Sequence, residues 1–475
     1  MPQLISVDVE NLRKNVAGSV FSPEDPGYDD ARRMWNGQYD RRPAVVVQPV
    51  TAADVSSAIT FAREHDLEIS VRGGAHSTGG LCVIDGSVHI NLSLMNSVTV
   101  DPRTRRCRVG GGALLGDRDT ATQEHGLAAP AGIVGHTGVG GLTLGGGMGW
   151  LTRKHGLSID NLISAEVVTA DGRIRTASPE KEPDLFWAIR GGGGNFGVVT
   201  SFEFQLHPVG PIVQFGLFFW PLEQVTDVLR LTREVVATLA PELNVMIAGV
   251  NAPPAPFVPA EHQGRPGIML LVTGFGPEAE HAELVDRIRR ERPPLVEMVT
   301  PIPYAQLQQM FDEANAWGLL AYDKAIYVKE LSDDVIAVVA DQLPRKSSPH
   351  SAMFFFRLDG AYSEVGDDAT AFSGGRTPRF TVFLLAVADN HEAYRADRDW
   401  VRGFWDALLP LGMGKGSYVN GETEFPEDRV RASYGEAKYE RLARIKAAYD
   451  PDNVFRHNGN IKPAPQPPRQ RSATG

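Results

Sequence analysis

Ile69-Ser70-Val71-Arg72-Gly73-Gly74-Ala75-His76-Ser77 runs an apolar strand straight into a turn of small residues from which one imidazole projects. Glycines let a backbone approach a phosphate closely, and successive N–H groups in such a turn form an anion-binding nest. The stretch reads as a phosphate cradle with a nucleophile attached. The theme returns at Gly138-Val139-Gly140-Gly141, at Gly145-Gly146-Gly147-Met148-Gly149 and at Gly191-Gly192-Gly193-Gly194-Asn195-Phe196-Gly197. Several such loops suit one extended phosphate-bearing ligand, a dinucleotide rather than a single phosphate.

Gly192-x-Gly194-x-x-Gly197 satisfies the Rossmann fingerprint by spacing, but its context does not. A Rossmann loop follows a strand and opens a helix. Here Asp184-Leu185-Phe186-Trp187-Ala188-Ile189-Arg190 reads as helix and residues 198–206 read as strand. A nicotinamide-binding Rossmann domain is therefore set aside.

Around these loops the chain alternates short elements. Thr51-Ala52-Ala53-Asp54 is a capping-box signal for a helix through about Glu64. Residues 88–92 and 106–109 read as strands, and 113–124 as a helix stopped near Gly126. Asp171-Gly172 between two apolar runs predicts a hairpin. This mixture implies an α+β class rather than a repeated parallel βαβ. After Pro208 the glycine clusters give way to longer apolar segments at 215–220, 267–272, 351–358 and 379–388, with a helix over 278–290. These predict a sheet with helices on one side.

The chain has 475 residues, enough for two domains with substantial cores. A net charge of −11, from 47 basic and 58 acidic residues, argues against a nucleic-acid or anionic-membrane partner. Two cysteines without a CxxC pairing predict neither a disulfide framework nor a zinc site. Residues 1–15 lack the apolar core of a signal peptide, and no run approaches the roughly 18 apolar residues that span a bilayer. A soluble, cytoplasmic protein is expected. The segment 464–475 is rich in Pro, Gln, Arg and Ser and reads as a disordered tail.

Taken in order, these motifs closely resemble the flavin-linked oxidases of the vanillyl-alcohol-oxidase type, in the branch that includes berberine bridge enzyme and bacterial 6-hydroxynicotine oxidase. The match begins at Tyr28-Asp29-Asp30 and passes through Leu94-Met95-Asn96, Pro130-Ala131-Gly132 and Asp160-Asn161-Leu162. It ends with Tyr418-Val419-Asn420 and Tyr449-Asp450-Pro451-Asp452-Asn453-Val454-Phe455-Arg456. The wording of 141–151 is similar to that of actinobacterial natural-product members such as the enterocin-pathway flavoprotein.

The resemblance implies a two-subdomain FAD-binding domain of the PCMH type over 1–207 (core about 39–207). It also implies a sheet-plus-helices substrate domain over 208–414 and a return to the FAD domain over 415–463. His76 matches the histidine that bonds covalently to the C8 methyl group of FAD in this family. Many relatives add a cysteinyl link where this chain has Val134, so a single tether is expected. Arg72, Gly73, Gly74, Ala75 and Ser77 would cradle pyrophosphate, and Gly132, Gly138, Gly140, Gly141 and Gly147 would pack along the cofactor. Gly197 and Val199 would lie at the adenine side, and Asn420 on a Tyr-x-Asn strand facing the isoalloxazine.

The catalytic base is less determined. Gly421 stands where many relatives have a second tyrosine, which leaves Tyr418, with Glu422 and Glu424 just beyond it and Tyr322, Lys324 and Tyr327 as a polar cluster. A buried carboxyl has its pKa raised toward neutrality, which suits a base. His155 replaces the tyrosine common after Arg-Lys in this segment. Thr137 matches the position beside the flavin that governs access of dioxygen. The implied activity is an FAD-dependent oxidase acting on an alcohol, amine or activated C–H of a small, secondary-metabolite substrate, with dioxygen as acceptor and hydrogen peroxide released. A flavin-dependent oxygenase of a polyketide-like substrate and a non-catalytic flavin-binding protein are the alternatives. Substrate identity and oligomeric state stay open.

Overall fold

The computed structural model describes residues 6–414 and 416–465; most of the segment read as a disordered tail lies outside the described residues. Three sheets carry the architecture. The first contains Ser19–Phe21 (β1), Val45–Gln48 (β2), Ile69–Arg72 (β3) and Val88–Asn91 (β4) in the order β1-β2-β4-β3. Here β4 runs parallel to both β2 and β3. The helix Ala52–Glu64 connects β2 to β3, opened by a capping box in which Thr51 and Asp54 satisfy each other's backbone. This parallel element is more βαβ-like than the alternation in the sequence implies.

The second sheet is antiparallel and contains Val98–Asp101 (β5), Arg106–Gly110 (β6), Leu162–Val168 (β7), Ile174–Ala177 (β8) and Val198–Gln205 (β9), in the order β5-β6-β9-β7-β8. Its inward residues Val109, Val167, Phe202 and Phe204 form one core with the helix Pro183–Ile189 and with Tyr439 and Leu442 of the late helix Glu436–Tyr449. The chain thus returns to this body after leaving it. Lys446 locks the return, donating from within the core to the carbonyls of Asn195 and Phe455 and to the Asp450 carboxylate.

The third sheet has seven antiparallel strands: Ile212–Pro221 (β10), Leu243–Asn251 (β11), Pro266–Gly274 (β12), Val296–Pro303 (β13), Leu320–Val328 (β14), Ala352–Leu358 (β15) and Arg379–Ala388 (β16). Their order is β13-β10-β12-β11-β15-β16-β14. Period-two alternation assigns its faces. Tyr322, Ile326, Val382 and Leu384 point into a core shared with the helices Val225–Ala237, Asp333–Gln342 and His391–Leu408. Ala325, Tyr327, Phe356 and Leu358 point the other way, into a cluster with Trp150, Phe372 and Tyr418. Each fully buried side chain of this kind contributes about 1.5–3 kcal/mol.

Candidate active site

The turn after β3 is held in a conformation that aims His76 outward. Ala75 has φ 60°, a left-handed geometry uncommon outside glycine, and its carbonyl accepts the N–H of Trp35 at 3.1 Å. The Trp35 ring stacks on the His76 imidazole at 4.9 Å and 15°, and Trp317 meets it edge-on at 6.4 Å. Burial, with the neighbouring His136, pushes the His76 pKa down to about 3, so the ring is neutral.

The glycine loops close on this turn. A Cβ on Gly74 would lie 2.2 Å from the nitrogen of Gly138, and a Cβ on Gly138 would lie 2.3 Å from the nitrogen of Gly74. Gly73 and Gly140 both face the carbonyl of Gly111. Gly141, in the helix Val139–Gly145, has open space where its Cβ would be. Arg72 reaches back to the carbonyls of Ala31 and Arg33 but makes no ion pair among the described residues, and its Nε is buried without a partner. Burial lowers its pKa. A desolvated guanidinium without a carboxylate, beside backbone loops this close, fits a phosphate-bearing ligand and therefore the FAD pyrophosphate.

Other expected positions have local partners. The Ser77 hydroxyl accepts the N–H of Leu81, and the Gly132 carbonyl accepts from Gln308. Gly147 leaves room for the Ser158 hydroxyl, 2.1 Å from where its Cβ would sit. A Cβ on Gly197 would lie 2.5 Å from the Val168 carbonyl oxygen, and Val199 is a buried β9 residue whose carbonyl abuts Gly111. Thr137 is half-buried just before the Gly138 loop, its carbonyl accepting from Leu115.

Tyr418 and Asn420 do not lie on a strand; residues Val419–Gly421 form a 3-10 turn. A Cβ on Gly421 would lie 2.6 Å from the Phe383 ring and 2.9 Å from the Ala325 Cβ, so the position the sequence leaves as glycine has no room for the second tyrosine of many relatives. The turn still delivers both side chains to the glycine helix. The Tyr418 Oη accepts N–H bonds from Gly147 and from Asn420 Nδ2, each 2.9 Å, and Asn420 also donates to the Leu142 carbonyl. Burial pushes the Tyr418 pKa up to about 12 against these two donors.

The polar cluster expected of Tyr322, Lys324 and Tyr327 is divided by the pleat. Tyr322 turns to the helical layer, where it meets Glu424 and Arg402, and Lys324 lies over the Trp405 ring. Of the three, only Tyr327 turns to the other face, into the cluster with Trp150 and Tyr418. Glu422 also lies elsewhere, serving the open edge of β14. It accepts the Ala325 N–H at 3.3 Å and pairs with Arg429 at 2.6 Å, and burial lifts its pKa to about 7. Asn36, Thr423 and Met413 satisfy the rest of that edge. His155 stacks on His207 at 3.9 Å, next to Asn161.

Two groups at the site were not anticipated. His136 contacts His76 directly, Nδ1 to Nε2 at 2.6 Å. Asp323, beside Tyr322 but on the opposite face of β14, accepts the hydroxyls of Thr78 and Thr423 at 2.9 and 2.7 Å, and burial lifts its pKa to about 6. The signal for Asp323 was its odd place in the alternation Leu320-Ala321-Tyr322-Asp323-Lys324. His136 had none.

Comparison with known proteins agrees with this geometry. Residues 43–178 match an FAD binding domain, and residues 417–462 match a berberine and berberine-like segment. The chain is 31% identical over 458 residues to an FAD-linked oxidoreductase of Dictyostelium discoideum, covering 96% of this chain and 97% of that one. It is 30% identical to (R)-6-hydroxynicotine oxidase of Paenarthrobacter nicotinovorans, covering 94% and 97%. The crystal structure of 6-hydroxy-D-nicotine oxidase from Arthrobacter nicotinovorans superposes with a TM-score of 0.83 at 27% identity, covering 94% and 98%. The berberine-bridge-enzyme-like protein 1 of Physcomitrella patens shares the fold, with a TM-score of 0.85 at 22% identity over 96% and 99% of the two chains. With both cofactor-binding segments matched and relatives of 30–31% identity aligned over 94–96% of its length, the chain is an enzyme of the FAD-linked oxidoreductases, in the berberine-bridge-enzyme-like family.

Proposed function

We propose that the protein is an oxidase whose FAD is tethered once, through His76, and which oxidises an alcohol, amine or activated C–H of a small ring-bearing molecule with dioxygen as the final acceptor. The observation that carries this reading is the His76 imidazole: neutral, clamped by Trp35 in a left-handed turn, and set against the Gly74–Gly138 contact. The similarity to 6-hydroxynicotine oxidases supports an oxidase in particular.

Bound FAD supplies the two-electron acceptor; the protein supplies position, exclusion of water and proton handling. Arg72 and the N–H groups of the 73–77 turn would hold the diphosphate, and Asn420, exposed within its 3-10 turn, would meet the ring. Phe311, Phe354 and Phe383 are half-buried and stand edge-to-face with one another or with Tyr418. This wall suits a flat apolar body. On the same face of the sheet the hydroxyls of Tyr327 and Thr381, paired across β14 and β16, are buried without partners, which suits a polar substituent on that body.

Tyr418 is the group placed to handle the substrate proton. Its Oη accepts two N–H bonds, so its own hydrogen points elsewhere, and the same donors stabilise a phenolate if the proton leaves. Thr137, half-buried just before the Gly138 loop, is assigned to dioxygen access on the family resemblance; Thr137→Leu should then slow reoxidation, and an unchanged rate counts against the role. The test of the function is anaerobic mixing with ring-bearing alcohols and amines, followed by oxygen. The reading expects flavin bleaching and then near-stoichiometric hydrogen peroxide. Absence of bleaching across the panel, or oxygen appearing in the product without peroxide, would contradict it.

A further inference from the structure

His76 has a second imidazole against it, and the hydrogen bonds assign its protons. Its Nε2 lies 2.6 Å from Nδ1 of His136. Two imidazole nitrogens make this contact as a hydrogen bond only when one of them carries the hydrogen and the other a lone pair. The other nitrogen of His136 decides which. Its Nε2 faces the backbone oxygen of Asp312 at 3.4 Å, and a carbonyl only accepts. His136 is therefore protonated on Nε2 and accepts at Nδ1, so His76 donates from Nε2. The Nδ1 of His76 is left with a lone pair and no hydrogen-bond partner among the described residues. The loop that carries His136 is pinned to the same segment, because the Gly135 N–H donates to the Asp312 carboxylate at 2.6 Å.

The geometry points to His136 as the base that removes the His76 proton when His76 Nδ1 becomes bonded to the flavin, a role that rests on the tethered-flavin reading above. Bond formation at Nδ1 turns the ring into a cation until Nε2 loses its hydrogen. Nδ1 of His136 is already in place to take it, and His136 is only half-buried, so the proton has an exit to water. In balance, one C–H bond of the C8 methyl group and the Nε2–H bond of His76 break, and one C–N bond forms. Two electrons pass through the isoalloxazine to dioxygen, and with the two protons they give hydrogen peroxide. Nothing in the family motifs read from the sequence marks position 136.

The test uses the full chain produced under riboflavin limitation and mixed with FAD in air. Non-covalent binding is read from flavin absorbance, and attachment from fluorescence retained after acid denaturation. His136→Gln keeps an acceptor for the Nε2–H but cannot take up the proton. It is expected to bind FAD yet attach it roughly 10²-fold more slowly, the low end of general-base effects. His136→Ala is expected to do the same and to be partly rescued by added imidazole. Attachment at the wild-type rate in either variant would overturn the inference. Loss of non-covalent binding in both would assign His136 a structural role and overturn it as well. Failure of the wild type to attach FAD would instead defeat the tether itself, a distinguishable result.

Discussion

Substituting alanine at two glycines of one loop separates a packing role from a cofactor role. At Gly138 the new methyl group would lie 2.3 Å from the nitrogen and 2.8 Å from the Cα of Gly74. Both are backbone atoms that cannot swing aside, so the two loops must part. Overpacking of this kind costs about 1–3 kcal/mol, and Gly138→Ala should lower the stability of the protein even without FAD. At Gly141 a methyl group meets no atom within 4 Å, and the residue lies inside the helix Val139–Gly145. Alanine there should raise apoprotein stability by about 0.5–1 kcal/mol through helix propensity. If the open space is the cofactor channel, the same methyl group weakens FAD binding by about 1–3 kcal/mol, roughly 5- to 150-fold. Thermal unfolding of the apoproteins and flavin titration read the two quantities separately. A Gly141→Ala protein that binds FAD as tightly as wild type would refute the placement of the channel.

Three further outcomes follow from individual groups. Arg72→Met removes a half-buried cation without an acid partner among the described residues, so apoprotein stability should hold while FAD affinity falls by about 1.5–3 kcal/mol, the worth of a charged hydrogen bond, measured by titration. Burial lifts the Asp323 pKa to about 6 from the ordinary 3.8, so between those pH values the folded state binds a proton that the unfolded state has released. Its contribution is most favourable below pH 3.8 and is lost as pH rises to 6, by on the order of 3 kcal/mol; denaturant midpoints across that window should flatten in Asp323→Asn. Lys446→Met takes the cation from the buried Asp450, leaving it only the backbone N–H groups of Val454 and Phe455, and should cost about 3–5 kcal/mol, seen as loss of soluble protein or a large drop in the denaturant midpoint.

Much of this architecture was legible because its causes are local. The Thr51 and Asp54 capping box, the Asp171-Gly172 hairpin and the strand at Arg379–Ala388 each follow from a few adjacent residues, and the structure shows all three. The cradle was legible for a different reason, since close backbone approach leaves only glycine at Gly74 and Gly138. What the sequence hid depends on which elements meet. Tyr322 and Tyr327 have opposite parity on β14, but only the placement of the helical layer says which parity faces the site. Glu422 has the pKa of a base, yet it is spent on the backbone of an edge strand, and nothing near residue 422 announces that β14 is an edge. The turn at Val419–Gly421 stands where a strand was expected, and the Phe383 ring that excludes a side chain at Gly421 comes from a distant segment. His136 became visible only when the 132–137 loop folded back on the turn after β3.

The central claim is the attachment of flavin at His76, and peptide mass spectrometry of the purified, acid-denatured protein tests it most directly. The account predicts that the peptide containing Arg72 to Ser77 carries the mass of FAD on His76, and that His76→Ala yields only free flavin. Flavin released intact from the wild type, or found on any other residue, would contradict it.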